Sequence, residues 1–68
     1  MTNYDIHDKI TGEHVVCGRY EIAETLLSMM PGADADTQGV CHELADKLVA
    51  GRPYEECEAY LAVSVSRV

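Results

Sequence analysis

The sequence predicts an α+β fold in which a β-hairpin is followed by two α-helices and a third antiparallel strand. Apolar and polar residues alternate near both ends of the chain, with the period of a half-buried strand. Two central segments instead repeat apolar residues at intervals of three and four, which is the period of an amphipathic helix. A chain of 68 residues is too short for two cores, so we expect one small domain over residues 1–68. The helices should cover one face of the sheet.

The hairpin is predicted over residues 3–17, with residues 9–12 as its loop. Asp8 can accept hydrogen bonds from the turn backbone, and Gly12 can take the left-handed conformation that closes it. One face of the hairpin is then apolar and the other polar. The expected register pairs Asp8 with Glu13, His7 with His14, Ile6 with Val15, and Tyr4 with Cys17.

Helix 1 is predicted over residues 20–30, and Pro31-Gly32 ends it. Its expected buried stripe consists of Ile22, Ala23, Leu26, Met29 and Met30.

Helix 2 is predicted from a loop over residues 31–37 to about Ala50, with Gly51 as its C-terminal stop. Asp36 is the favoured N-cap, and Asp34 is the second candidate.

The C-terminal segment is harder to assign from its pattern. Pro53 and the acidic residues after it suit the first turn of a short helix over residues 53–59. Leu61, Val63 and Val65 then alternate with small residues, which predicts the third strand. Residues 59–66 remain open between helix and strand.

Composition excludes several functional classes. The pI is about 4.6, whereas binding to nucleic-acid phosphates or anionic lipid requires clustered Lys and Arg. Three cysteines, an odd number without framework spacing, favour free thiols in a reducing compartment. No apolar leader is visible at the N-terminus. We therefore expect a cytoplasmic protein that binds neither nucleic acid directly nor a membrane and needs no cofactor.

The sequence contains no catalytic signature, so we expect a protein that is not an enzyme. Cys41 and His42 are adjacent, and adjacent positions on a helix point about 100° apart, too far for a catalytic dyad. We interpret all three cysteines as small buried apolar residues.

Two motifs raise the question of metal binding. His7 and His14 would face each other beside Asp5, and two imidazoles with a carboxylate suit zinc; a solvent-facing pair without metal is the favoured interpretation. Residues 34–39 resemble the opening of an EF-hand calcium loop, but its twelfth position falls on Ala45, which cannot supply the bidentate carboxylate. We therefore predict no metal ligand, while a metal-stabilised structural domain stays an alternative.

A second alternative is a small DNA-binding transcriptional regulator. Residues 61–68 resemble the turn and recognition-helix start of bacterial helix-turn-helix repressors. The acidity of the chain disfavours this function, because DNA readers neutralise phosphates.

The charge of the chain is concentrated in residues 21–46. This segment holds six acidic residues and no Lys or Arg, so it carries −6 of the formal net charge of −7. An acidic surface of this kind can occupy a Lys- and Arg-lined groove and benefit from electrostatic steering. We predict that it binds a protein partner with a basic surface; a homodimer is left open. The predicted binding residues are Glu21, Glu24, Asp34, Asp36, Glu43 and Asp46.

Taken whole, the chain resembles small phage-encoded inhibitor proteins of the anti-CRISPR type. The resemblance lies in the Tyr4-to-Val16 hairpin with its Thr11-Gly12-Glu13 turn, the amphipathic helix that follows, and the short acidic chain without catalytic motifs. It implies a stoichiometric inhibitor that acts in the cytoplasm of a bacterial host and docks on a host complex, such as a CRISPR-Cas effector. Such an inhibitor mimics nucleic acid and blocks nucleic-acid access.

Overall fold

The computed structural model describes residues 2–68 and confirms the α+β fold, with a three-stranded antiparallel sheet and three helices. A short 3₁₀ turn over Arg19–Glu21 precedes the first helix. In chain order the elements are β1 (Asn3–Asp8), β2 (His14–Gly18), α1 (Ile22–Met29), α2 (Ala35–Ala50), α3 (Glu55–Leu61) and β3 (Val63–Arg67).

The sheet has the order β2-β1-β3, so β1 is the central strand. The predicted hairpin register is confirmed, with His7 opposite His14 and the Asp8 N–H donating to the Glu13 carbonyl oxygen at 2.8 Å. Asp8 explains why the turn forms, because its Oδ1 accepts the backbone N–H of Ile10 at 2.8 Å and of Thr11 at 3.2 Å. Gly12 closes the turn with a φ of 80°, which costs an L side chain energy but not glycine.

The core lies between one face of the sheet and the three helices. Ile6 of the central strand is fully buried, in one core cluster with residues of all three helices. None of the helices described in residues 2–68 covers the opposite face of the sheet, where Val16 is 57% exposed. The buried apolar residues are Ile6, Ile22, Leu26, Cys41, Leu44, Leu48, Cys57, Leu61, Val63 and Val65.

The two central helices begin at places that differ from the prediction. α1 starts at Ile22, since residues 19–21 form the tighter 3₁₀ turn. Asp34 is the N-cap of α2, and its Oδ1 accepts the N–H of Thr37 at 2.8 Å. The prediction of Asp36 as the favoured cap was wrong, because Asp36 already lies in the first turn of α2. Gly51 ends α2 in the left-handed conformation, as predicted.

The C-terminal segment is helix and then strand, joined by one residue. α3 runs to Leu61, which was predicted to begin the strand, and Ala62 adopts a left-handed φ of 57° between the two elements. β3 then pairs antiparallel with β1, as predicted. Residues 63–67 are therefore a strand, and the recognition helix that the helix-turn-helix resemblance implied does not form there.

Candidate functional site

All six predicted binding carboxylates are exposed, but they fall into separate groups. Glu21 and Glu24 lie beside β2, and Asp34 and Asp36 lie at the start of α2. Glu43 and Asp46 lie on different sides of the middle of α2. The structure therefore brings some of them together and separates others.

The first group lines a depression between β2 and α1. Glu21 and Glu24 share this depression of about 420 Å³ with Glu13, a third carboxylate that sequence analysis did not include. Val15 and Met29 add apolar surface to the lining. Glu13 could have been found from the predicted hairpin register, which places it directly before the strand that α1 packs against.

The second group is Asp34 and Asp36 at the N-terminus of α2. The hydrogen bonds that Thr37 donates lower the pKa of the Asp34 carboxyl. Asp34 therefore stays ionised at neutral pH, but its Oδ1 is already engaged by the helix backbone. Asp36 makes no hydrogen bond through its side chain within residues 2–68.

Glu43 lies on the side of α2 that faces α3. Its carboxylate is 3.1 Å from the ammonium group of Lys47, one helical turn away, and also accepts a hydrogen bond from the thiol of Cys57 at 3.3 Å. These two partners, Lys47 first, lower the pKa of Glu43. Of the six carboxylates, only Glu43 takes part in a salt bridge among the residues that the structure describes.

Asp46 lies on the other side of α2 and lines a depression of about 370 Å³ with Arg19 and Tyr20. The guanidinium of Arg19 donates to the carbonyl oxygen of Val49 at 2.7 Å and lies 5.8 Å from the centre of the Tyr20 ring. Asp46 therefore shares a depression with a cation but forms no salt bridge with it among residues 2–68.

The histidine pair lies on the uncovered face of the sheet. The His7 and His14 rings stack with centroids 4.1 Å apart and planes within 4° of parallel, and Asp5 Oδ2 is 2.9 Å from His14 Nδ1. Imidazole lone pairs lie in the ring plane, so two stacked rings do not converge on one ion. No three His, Cys, Asp or Glu side chains within residues 2–68 are arranged to hold a metal ion.

The cysteines are free thiols, with Cys41 and Cys57 buried and Cys17 half-buried. Burial raises the pKa of both Cys41 and Cys57, which keeps these thiols protonated at neutral pH. His42 is exposed while its neighbour Cys41 is fully buried. The two side chains therefore point apart and do not form a nucleophile–base pair.

A comparison of this chain with protein-family models, curated proteins and solved structures finds no match in any of the three. None of the helices described within residues 2–68 has both the length and the apolar character needed to cross a bilayer. The function therefore has to be argued from the chain's own residues.

Proposed function

We propose that this chain is a non-enzymatic acidic binding protein that docks on a basic, nucleic-acid-binding surface of a partner protein and blocks access of nucleic acid to it. The observation that carries the proposal is the uneven charge. Residues 21–46 hold −6 of the formal net charge of −7, and all six carboxylates are exposed.

The charges of this surface are available to a partner. Glu21, Glu24, Asp34 and Asp36 have no Lys or Arg partner within salt-bridge distance among residues 2–68. Unpaired surface carboxylates leave a negative potential that accelerates encounter with a basic surface and favours binding at low salt.

The proposed target is a nucleic-acid-binding surface because such surfaces are built to bind closely spaced negative charges. Duplex DNA presents one phosphate about every 3.4 Å along each strand, and Glu21 and Glu24 of the acidic segment line a single depression together with Glu13. The resemblance to phage-encoded inhibitors suggests a bacterial effector complex, such as a CRISPR-Cas effector, as the partner.

The test uses two double variants with the same change in net charge. Glu24→Lys with Asp36→Lys reverses two unpaired carboxylates in the acidic segment. Glu55→Lys with Glu56→Lys reverses two exposed carboxylates in the first turn of α3, which lies outside the acidic segment. Glu43 is left unchanged, because it contacts both Lys47 and Cys57.

The tagged protein is first used to capture a partner from bacterial lysate at low salt, and the purified partner is then titrated with labelled nucleic acid. We expect the wild-type chain and the α3 variant to displace the nucleic acid at a near-equimolar ratio, with displacement weakening as salt rises. The Glu24–Asp36 variant should lose displacement while its circular dichroism spectrum is unchanged. Equal displacement by both variants, or a captured partner that retains its nucleic acid, would refute the proposal.

A further inference from the structure

The edge of β2 has backbone groups that form no hydrogen bond with any other residue among 2–68. The bond from Asp8 N–H to the Glu13 carbonyl oxygen fixes the phase of the β1–β2 ladder. Every second pair along an antiparallel ladder is hydrogen-bonded, so the N–H and C=O groups of His14 and Val16 point away from β1. No hydrogen bond within residues 2–68 uses the N–H of either residue.

Elsewhere the two sheet edges are partly closed by glutamate side chains. Glu21 Oε1 accepts the outward N–H of Gly18 at 3.1 Å, which closes the end of β2. Glu58 Oε2 accepts the outward N–H of Val65 at 2.8 Å, which closes the middle of β3. Unpaired strand edges invite pairing with another chain, and such side chains prevent it. The stretch from His14 to Val16, which we call the open edge, is not covered in this way by any side chain that the structure describes.

The surroundings of the open edge indicate what it would pair with. The depression between β2 and α1 runs beside it, with Glu13, Glu21 and Glu24 among its lining residues and apolar surface from Val15 and Met29. An added strand would point alternate side chains over this depression. Lys and Arg fit there, because their aliphatic stems can pack on apolar surface while their charged ends meet carboxylates.

We propose that the open edge pairs with an extended segment of a partner protein that carries Lys or Arg at alternate positions. The inference deepens the proposed function and rests on it for the basic character of the partner. The main-chain groups of His14 and Val16 would supply up to four hydrogen bonds. The carboxylates beside β2 would select the charge.

A second copy of this chain is the poorer occupant of the open edge. Pairing β2 with β2 would bring Glu13, Glu21 and Glu24 of both copies together in chains that each carry a net charge of −7. Like charges placed opposite each other across an interface oppose association.

The test uses a dye-labelled peptide of about nine residues that alternates Lys and Thr, long enough to overhang a strand of this length. Two further peptides have the same sequence but carry N-methyl groups on one or the other alternate set of backbone nitrogens. Strand addition uses only one of these sets. By fluorescence anisotropy at low salt, we expect one methylated peptide to bind about tenfold more weakly than the parent and the other to bind equally well.

Two single variants and an NMR measurement locate the site. Glu24→Lys should weaken binding of the parent peptide about tenfold. Asp36→Lys, an equal charge change outside the depression, should change it by less than about twofold, the range expected of distant surface charges. Hydrogen exchange of the His14 and Val16 amides should slow when the peptide binds, since a purely ionic contact would not protect them.

Several results would overturn the inference, and each can be told from failure of the proposed function. If both methylated peptides bind like the parent, or if the His14 and Val16 amides stay unprotected, the partner does not add a strand, whatever the outcome of the displacement assay. Protection of these amides that appears without peptide and grows with protein concentration would assign the edge to self-association. Conversely, the peptide could slow hydrogen exchange of the His14 and Val16 amides while the Glu24–Asp36 variant displaces nucleic acid from the partner as well as the wild type does. This combination would overturn the proposed function and leave the open edge as a peptide site.

Discussion

Replacing Asp8 with alanine should destabilise the turn that joins β1 to β2, and with it the strand that carries the open edge. The Asp8 side chain is only 6% exposed, yet it is charged. It is tolerated there because its Oδ1 accepts two backbone N–H groups, those of Ile10 and Thr11. Alanine removes both hydrogen bonds and leaves the N–H groups of Ile10 and Thr11 without this acceptor.

The size of the effect follows from these two bonds. A hydrogen bond to a charged group contributes about 1.5–3 kcal/mol, and the exposed donors would regain part of this from water, so we expect a loss of about 2–4 kcal/mol. A domain of this size has a total stability of roughly 3–10 kcal/mol. The corresponding fall in Tm is roughly 10–30 °C. Asp8→Asn keeps an oxygen acceptor but not the charge, so it should lose about half as much.

The assay is urea denaturation of the wild type, Asp8→Asn and Asp8→Ala over a range of pH. The two backbone hydrogen bonds lower the pKa of the Asp8 carboxyl below its ordinary value of 3.8. Because the pKa of Asp8 is lower in the folded state, its ionised carboxyl stabilises the protein fully at pH values above 3.8. This stabilisation is lost as the pH falls through the folded-state pKa. The stability gap between wild type and Asp8→Asn should therefore be constant near neutral pH and close in acid. A gap that persists at the lowest pH, or no gap at pH 7, would refute the role of the charge.

Three further predictions concern helix ends and thiols. Gly51→Ala should lower the free energy of unfolding by about 1–2 kcal/mol, because Gly51 has a φ of 73°. Gly39 lies in the interior of α2 with open space at its Cβ, so Gly39→Ala should raise that free energy by about 0.5–1 kcal/mol. Equal effects of the two substitutions in urea denaturation would contradict this. Asp34→Ala should lower Tm and Asp34→Asn should largely preserve it, since asparagine also caps helices; an unchanged Tm for alanine would rule out the cap. Cys41 and Cys57 should resist alkylation by iodoacetamide at neutral pH until urea is added, as mass spectrometry would show; rapid labelling of the native protein would mean that they are not buried.

The hairpin could be predicted in detail because its information is local. The alternation of apolar residues sets the face of each strand, and Asp8 and Gly12 define a loop that permits one register. The N-cap of α2 could not be chosen in this way. Asp34 and Asp36 both suit a cap by residue type, and only the position of the Thr37 N–H in the folded chain decides between them.

The end of α3 was hidden for a different reason. Ala62 adopts a left-handed conformation that alanine rarely takes, so no glycine in the sequence marked the helix end. Leu61 and Val63, on either side of Ala62, both lie in the core, and such long-range packing leaves no local pattern in the sequence.

The exposure of four of the six carboxylates, Glu21, Glu24, Glu43 and Asp46, could be predicted from helix periodicity, but the grouping of the six could not. Glu43 and Asp46 are three residues apart on one helix, yet one faces α3 and the other faces Arg19. Which neighbours a surface residue meets depends on where the adjacent helices lie. Glu13 joined Glu21 and Glu24 for the same reason, because α1 packs against β2.

Because Glu58 accepts the outward N–H of Val65, α3 should protect the edge of β3 against pairing with another chain, in addition to its part in the core. A local opening of α3, without unfolding of the sheet, would free an edge donor next to the apolar residues Val63 and Val65. Fibril or aggregate formation should therefore depend on how often this short helix opens and less on global stability. Light scattering of Glu58→Ala should rise faster on mild heating than that of an equally destabilised variant with α3 intact; equal rates would show that the helix has no protective role.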